Sequence, residues 1–284
     1  MRDSNLPAGR QGELRDSSLI TQNDRKQSAV KVFSDQPMAD CDGIYIASEK
    51  IFDLNEPRDS LEDLILRIVE ATSAFPDVPV LVKLADKSEG MGKVRGTLRL
   101  LHQKSLLDPL IDAISFVRYK KNLNNVHIVV PFLRGVNELL QIKRELAVKK
   151  LMRKNSLQIW MEVAIPENMI NLEEYLLAGL DGIVLNMDEL IAHFSGFDHQ
   201  EAELMFYKRQ VKGLLQFLED GLKLLHKSKK PFLASGSIIL DPPVLEYLVE
   251  KGVYGVVLES FEASGAKDLL NQVEKKHILS LRAS

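Results

Sequence analysis

From residue 30 to residue 259 the chain repeats one unit, a run of four to six β-branched or apolar residues followed by a longer amphipathic stretch. That rhythm constrains the fold more than any other feature. Parallel strands cannot be joined by tight turns and need crossovers of a dozen residues or more, usually helical. Eight strands are predicted, at 30–34 (VKVFS), 43–47 (GIYIA), 80–84 (VLVKL), 126–130 (VHIVV), 159–164 (IWMEVA), 182–186 (GIVLN), 232–236 (FLASG) and 255–259 (GVVLE). Helix signals lie between most of them. SLEDLILRIVEATSAF offers Ser60 as an N-cap, and DPPVLEYLVEKG starts on Asp241 and Pro242 and stops at Gly252. Eight such strands in about 230 residues match a (β/α)8 barrel of the TIM type, although the first two strands are too close for a full helix between them. An open doubly wound sheet is the rival. Its dinucleotide-binding form is disfavoured because no G-x-G-x-x-G follows the first strand.

Composition narrows the function classes. A net charge of −3 over 284 residues, with Lys and Arg scattered, offers no footprint for a nucleic-acid backbone. No apolar run approaches the roughly 20 residues of a membrane helix and no secretory h-region opens the chain, so a cytoplasmic protein is expected. The single cysteine, Cys41, excludes an internal disulfide framework. Residues 1–28 are polar and aperiodic, which predicts a disordered extension before a barrel over 29–284. The histidines have no metal-ligand spacing and no G-x-S-x-G elbow occurs.

In a barrel, functional residues collect at the C-terminal strand ends. Those ends carry Ser48 and Glu49, Lys83 and Asp86, Arg134, Glu162, the stretch 186–190 and Ser235-Gly236-Ser237, with Arg95 and Arg99 placed on one face if VRGTLR is helical. Several have plain structural alternatives. Asp188 suits an N-cap. Glu162, an acid inside an apolar run, needs either a metal or a partner such as Lys83. The consecutive N–H groups at 235–237 suit either a turn or an anionic oxygen.

Taken in order, the motifs resemble the C-terminal barrel of the PEP-utilising enzymes, of the phosphoenolpyruvate synthase and pyruvate phosphate dikinase type. DGIYIASEKIF is similar to that family's Asp-Gly-x-Gly-Leu-x-Arg-x-Glu-Phe, VKLAD to Arg-Thr-Leu-Asp and VRGTLR to Trp-Arg-Gly-x-x-Arg. NNVHIVVPFLRG is similar to Asn-Val-x-x-Met-Ile-Pro-Phe-x-Arg, and DGIVLNMDELIAHFSGFD and FLASGSIILDPPVLEYLVEKGVYGVVLE follow the spacing of its last segments. The likeness spans roughly residues 30 to 260.

The resemblance implies a barrel that binds pyruvate or phosphoenolpyruvate with Mg²⁺ and exchanges a phosphoryl group with a phosphohistidine on another chain, one bearing the ATP-grasp machinery. In that scheme Arg95, Arg99 and Arg134 hold the phosphoryl group with Gly236 and Ser237. Ser235 and Arg95 take the catalytic positions, and Glu162 with Asp188 or Glu189 holds the metal. A homodimer is also implied. Departures from the pattern are concentrated at the chemistry. The metal-binding Glu falls on Ala164, two residues and about 6–7 Å along the strand from Glu162. The following Gln is Ala192, the Arg of Arg-x-Glu is absent, and the proton-handling Cys is Ser235, whose hydroxyl is a far weaker acid than a thiol of pKa about 8.5. These losses support a second expectation, a non-catalytic binding or scaffold barrel.

Overall fold

The computed structural model describes residues 28–38, 41–51, 60–86, 94–152, 156–196 and 211–283. The expected extension over 1–28 therefore lies outside the described residues, apart from Ser28. Eight parallel strands close into a barrel in sequence order: β1 Lys31–Ser34, β2 Gly43–Ala47, β3 Val80–Lys83, β4 Val126–Val130, β5 Ile159–Val163, β6 Gly182–Asn186, β7 Phe232–Ser235 and β8 Gly255–Leu258. Helices α1 Ser60–Ala74, α2 Gly96–His102, α3 Lys104–Tyr119, α4 Val136–Val148, α5 Pro166–Ile170, α6 Leu172–Leu177, α7 Met187–Ser195, α8 Val211–Lys227, α9 Pro242–Glu250 and α10 Ser260–Ala283 surround it. The barrel is the predicted fold, and the open sheet is excluded by the β1–β8 pairing, in which Lys31 to Ser34 lie beside Gly255 to Leu258.

Both faces of every strand are covered, which explains why the strands read as short continuous apolar runs and not as alternating ones. Alternation still decides direction. Phe33, Tyr45, Leu81, Val129, Trp160, Val184 and Leu233 form one cluster inside the barrel. The neighbours Val32, Ile44, Ile46, Val80, Val82, Ile128, Ile183 and Ala234 pack outward into the larger core beneath the helices. Glycines at two strand starts make room for the interior rings. A Cβ on Gly182 would meet the Trp160 ring at 2.5 Å, and one on Gly43 would collide with Phe33.

Two residues further along the strands, the period of two aims Lys83, Glu162, Asn186 and Ser235 into the same interior, one layer nearer the C-terminal rim. The segment leading into β1 is fastened to α10 from outside. Glu274 on α10 accepts hydrogen bonds from Ser28 Oγ (2.8 Å) and from the backbone N–H of Ala29 (3.2 Å) and Val30 (2.7 Å).

At the opposite end of the barrel, His127 on β4 is 7 % exposed, and its Nδ1 accepts from the Gln158 N–H at 3.3 Å. Burial, helped by the nearby Arg118 charge, lowers its pKa from 6.5 to about 4. The unfolded chain binds a proton on this ring between pH 6.5 and 4 and the folded chain does not, so stability is complete above that window and falls as pH drops through it. The loss should reach about 3 kcal/mol. Urea unfolding at pH 7.5 and pH 4.5 measures it, and His127→Asn, which keeps an acceptor without the titration, should flatten this part of the profile.

Candidate binding site at the barrel rim

The interior layer above Trp160 is an ionic one. Lys83 Nζ lies 2.5 Å from Glu49 Oε1 and 3.2 Å from Glu162 Oε1, and Asn186 Nδ2 donates to Glu162 Oε1 at 2.9 Å. Glu162 is 2 % exposed and Lys83 7 %. Burial alone would lower the lysine pKa, but the two carboxylates outweigh it and hold it well above the ordinary value, so the ammonium stays charged. Burial also pushes Glu162 upward, with Lys83 pulling it back. The second oxygens, Glu162 Oε2 and Glu49 Oε2, are buried and have no hydrogen-bond partner among the described residues. Of the two alternatives for Glu162, the lysine pair is the one that forms.

This layer floors a cavity of about 660 Å³ lined also by Tyr45, Asn186, Asp188 and the 235–237 turn. Tyr45 was not singled out from the sequence; the period-two alternation of GIYIA was the available signal, since it aims the ring inward. Ser235 Oγ donates to the Leu185 carbonyl at 3.2 Å. Asp188 accepts from Ser237 N–H at 2.9 and 3.0 Å and from Ser237 Oγ at 2.8 Å. The anionic oxygen expected at this turn is thus supplied by the protein itself. Gly236 permits the approach, because its φ is +121° and a Cβ would come within 2.9 Å of Asp188 Oδ1. The N-cap of α7 is Asn186, whose Oδ1 accepts from Glu189 N–H at 3.2 Å, so the expectation that Asp188 caps this helix is corrected.

Arg95, Arg99 and Arg134 lie elsewhere on the rim, and none of these three lines the cavity. Arg95 precedes α2 in extended conformation, so it does not share a helical face with Arg99 as expected. Its Nε donates to both Asp86 oxygens at 3.1 Å, and its two terminal nitrogens donate to Glu189 at 3.0 and 3.1 Å. A further contact joins Arg95 Nη2 to Asp86. Burial would lower the guanidinium pKa, and these two carboxylates raise it instead. Arg99 is buried, with Nε donating to the Val94 carbonyl at 2.8 Å. Arg134 Nη1 donates to the Arg95 carbonyl at 3.0 Å.

Arg95 and Arg134 both lie over the Phe132 ring, 4.1 and 4.8 Å from its centroid. Phe132 was not foreseen. Its φ is +39°, and Gly96 (φ +67°) packs so close that a Cβ would meet the Phe132 carbonyl oxygen at 2.8 Å. An aromatic residue at positive φ is strained backbone, here held by that packing.

The magnesium seat implied for Glu162, Asp188 and Glu189 is not assembled. Each carboxylate is committed to a different partner: Lys83, Ser237 and Arg95 respectively. Among the described residues no three His, Cys, Asp or Glu side chains come together to hold an ion. These residues do not fit the implied site, and no step is routed through a metal.

Fold and rim define a closed (β/α)8 barrel with a cavity at the C-terminal strand ends. No family model matches the chain. It is similar to phosphoenolpyruvate synthase of Helicobacter pylori, 24% identical over 171 residues, which cover 58% of this chain and 21% of that one. It is also similar to phosphoenolpyruvate synthase of Pseudomonas aeruginosa, 28% identical over 149 residues, 51% of this chain and 19% of the other. The matched stretches span about a fifth of the length of these curated relatives. Among solved structures it is similar to an HpcH/HpaI aldolase from Desulfitobacterium hafniense, with a TM-score of 0.51 over 90% of this chain and 93% of that one. At 10% identity that likeness shows the fold alone. Among the described residues no helix is long and apolar enough to cross a membrane.

Proposed function

We propose that the chain is a small-molecule binding barrel of the phosphoenolpyruvate synthase kind that does not itself transfer a phosphoryl group. The observation that carries this reading is the double clasp of Arg95. Phosphoryl transfer needs guanidinium groups aimed at the developing charge. Here all the nitrogens of the arginine best matched to that task are directed at Asp86 and Glu189, both of them buried. Opening the clasp for a phosphate would take the guanidinium away from two buried carboxylates, a penalty of several kcal/mol that the ligand would have to offset. The same holds at the turn, where Asp188 occupies the Ser237 N–H, and at Ser235, whose hydroxyl proton points to a carbonyl.

A second reading, phosphoryl exchange between pyruvate or phosphoenolpyruvate and a phosphohistidine on another chain, is favoured by one observation. Arg95 and Arg134 share the Phe132 ring as a common support, so two guanidinium groups stand together on this part of the rim. Their carboxylate partners would have to be displaced on binding.

The two readings part in one experiment. The protein is incubated with pyruvate and saturating Mg²⁺ in D₂O, and the methyl resonance is followed by NMR, alongside calorimetry with phosphoenolpyruvate in the presence and absence of Mg²⁺. The expected result is methyl exchange no faster than in protein-free buffer and no metal-dependent heat. Exchange above that background, removed by Ser235→Ala, would establish the second reading in place of the first.

A further inference from the structure

We propose that the recess at the N-terminal mouth of the barrel, around His127 and Gln158, binds the carboxylate group of a small molecule. The proposal is independent of the reading of the C-terminal rim.

The strand register builds this recess. Ile128 pairs with Ile159, so His127 and Gln158 stand side by side one residue earlier on the two chains. The period of two aims both inward, one layer below Val129 and Trp160 of the interior cluster. The barrel opens here into a recess of about 540 Å³, which Asn122, Asn124, Asn125 and Ser156 also line.

Its donors are fixed by hydrogen bonds made elsewhere on the same side chains. His127 Nδ1 accepts from the Gln158 N–H at 3.3 Å, which places the proton of the neutral ring on Nε2. His127 is 7 % exposed and lines the recess, and its Nε2 has no hydrogen-bond partner among the described residues. Gln158 Oε1 accepts from Trp160 Nε1 at 2.9 Å. An indole only donates, so the amide orientation is set and the Gln158 NH₂ group is left for a ligand. Asn122 is held in the same way, its Oδ1 accepting from Asn124 Nδ2 at 3.4 Å. A ring N–H that is nine-tenths buried is poorly served by water, and a ligand oxygen that meets it gains more there than on open surface.

The charge of the surroundings agrees. Arg118 is 1 % exposed and donates to the Asn124 carbonyl at 2.7 Å and to Ser156 Oγ at 3.3 Å, and both of those residues line the recess. Its positive charge is felt at His127, where it opposes protonation of the ring. None of the described residues lining the recess is acidic. Asp181, whose charge His127 also feels, accepts from the Ile159 N–H at 2.8 Å and does not line the recess. Neutral donors in front of one buried cation suit a single negative charge spread over two oxygens. A phosphate dianion asks for cations in direct contact, and an ammonium would face N–H groups.

Titration of the full chain at pH 7.5 and constant ionic strength tests this, with propionate, its neutral isostere propionamide and inorganic phosphate as separate probes. Trp160 is the only tryptophan of the chain and is bonded to Gln158, so its emission reports occupancy of the recess. Propionate should give a saturable change, and propionamide should bind at least tenfold more weakly. Gln158→Glu keeps the shape and the acceptor for Trp160 but brings a negative charge to the recess. It should weaken propionate binding at least tenfold, as should His127→Phe, with circular dichroism checking both folds. Gln158 is exposed, so its variant serves even where the His127 variant fails to fold. The proposal is overturned by the absence of a saturable response below about 100 mM propionate. It is overturned equally by propionamide binding as tightly as propionate, by phosphate binding more tightly, or by undiminished propionate binding in Gln158→Glu.

Discussion

Replacing Lys83 with methionine is expected to lower the unfolding free energy by about 3–5 kcal/mol, because it leaves buried acids without their counter-charge. Glu162 is 2 % exposed and the Glu49 side chain 18 %. Methionine fills most of the lysine volume, so the loss reports charge and not a cavity. The double variant Lys83→Met with Glu162→Leu should regain more than half of that loss, as expected when a buried ion pair is replaced by apolar groups of similar size. The sign of the pH dependence follows from the direction of the Glu162 shift. A carboxyl whose folded pKa is raised binds its proton more tightly in the folded chain, so its penalty is small at low pH and grows as pH rises through the folded pKa. Removing Lys83 extends this effect, and urea unfolding should show a larger deficit for Lys83→Met at pH 8 than at pH 5.5. A deficit below 1 kcal/mol at pH 8 would mean that the ammonium does not neutralise this layer.

Arg95→Ala should be comparably costly, by about 3–5 kcal/mol, since Asp86 and Glu189 are 2 % and 5 % exposed and would both lose the guanidinium that faces them. Arg95→Lys should fall between the two, because an ammonium cannot face two carboxylates with parallel pairs of N–H groups as the guanidinium does. A partly exposed arginine kept for a ligand behaves otherwise. Its truncation would change stability by less than about 0.5 kcal/mol and remove binding instead. Thermal melts of the two variants therefore separate an arginine that maintains the rim from one that serves a phosphoryl group.

The barrel was legible in the sequence because its strands are short, buried on both faces and punctuated by helices. Each predicted strand end falls within one residue of the observed one. Glu162 was legible as a problem, an acid in an apolar run, and its pairing with Lys83 was one of the two solutions that chemistry allowed. What could not be read was the distribution of partners around the rim. Arg95 meets Glu189 across 94 positions of chain, a proximity set by barrel closure and not by local pattern. The spacing of Arg95 and Arg99 resembles a helical face, but the helix begins at Gly96, at positive φ, which leaves Arg95 extended before it. Asp188 and Asn186 are equally suited by type to cap α7, and only the backbone geometry selects Asn186.

The clasp of Glu274 on Ser28, Ala29 and Val30 has a consequence for biosynthesis. A ribosome delivers β1 before β8, yet β8, its second neighbour, and the glutamate that holds the lead-in to β1 are made more than 220 positions later. Until then the nascent sheet has two open edges, and the emerging polypeptide must be kept from pairing them with other chains before its own last turn arrives to shut the ring.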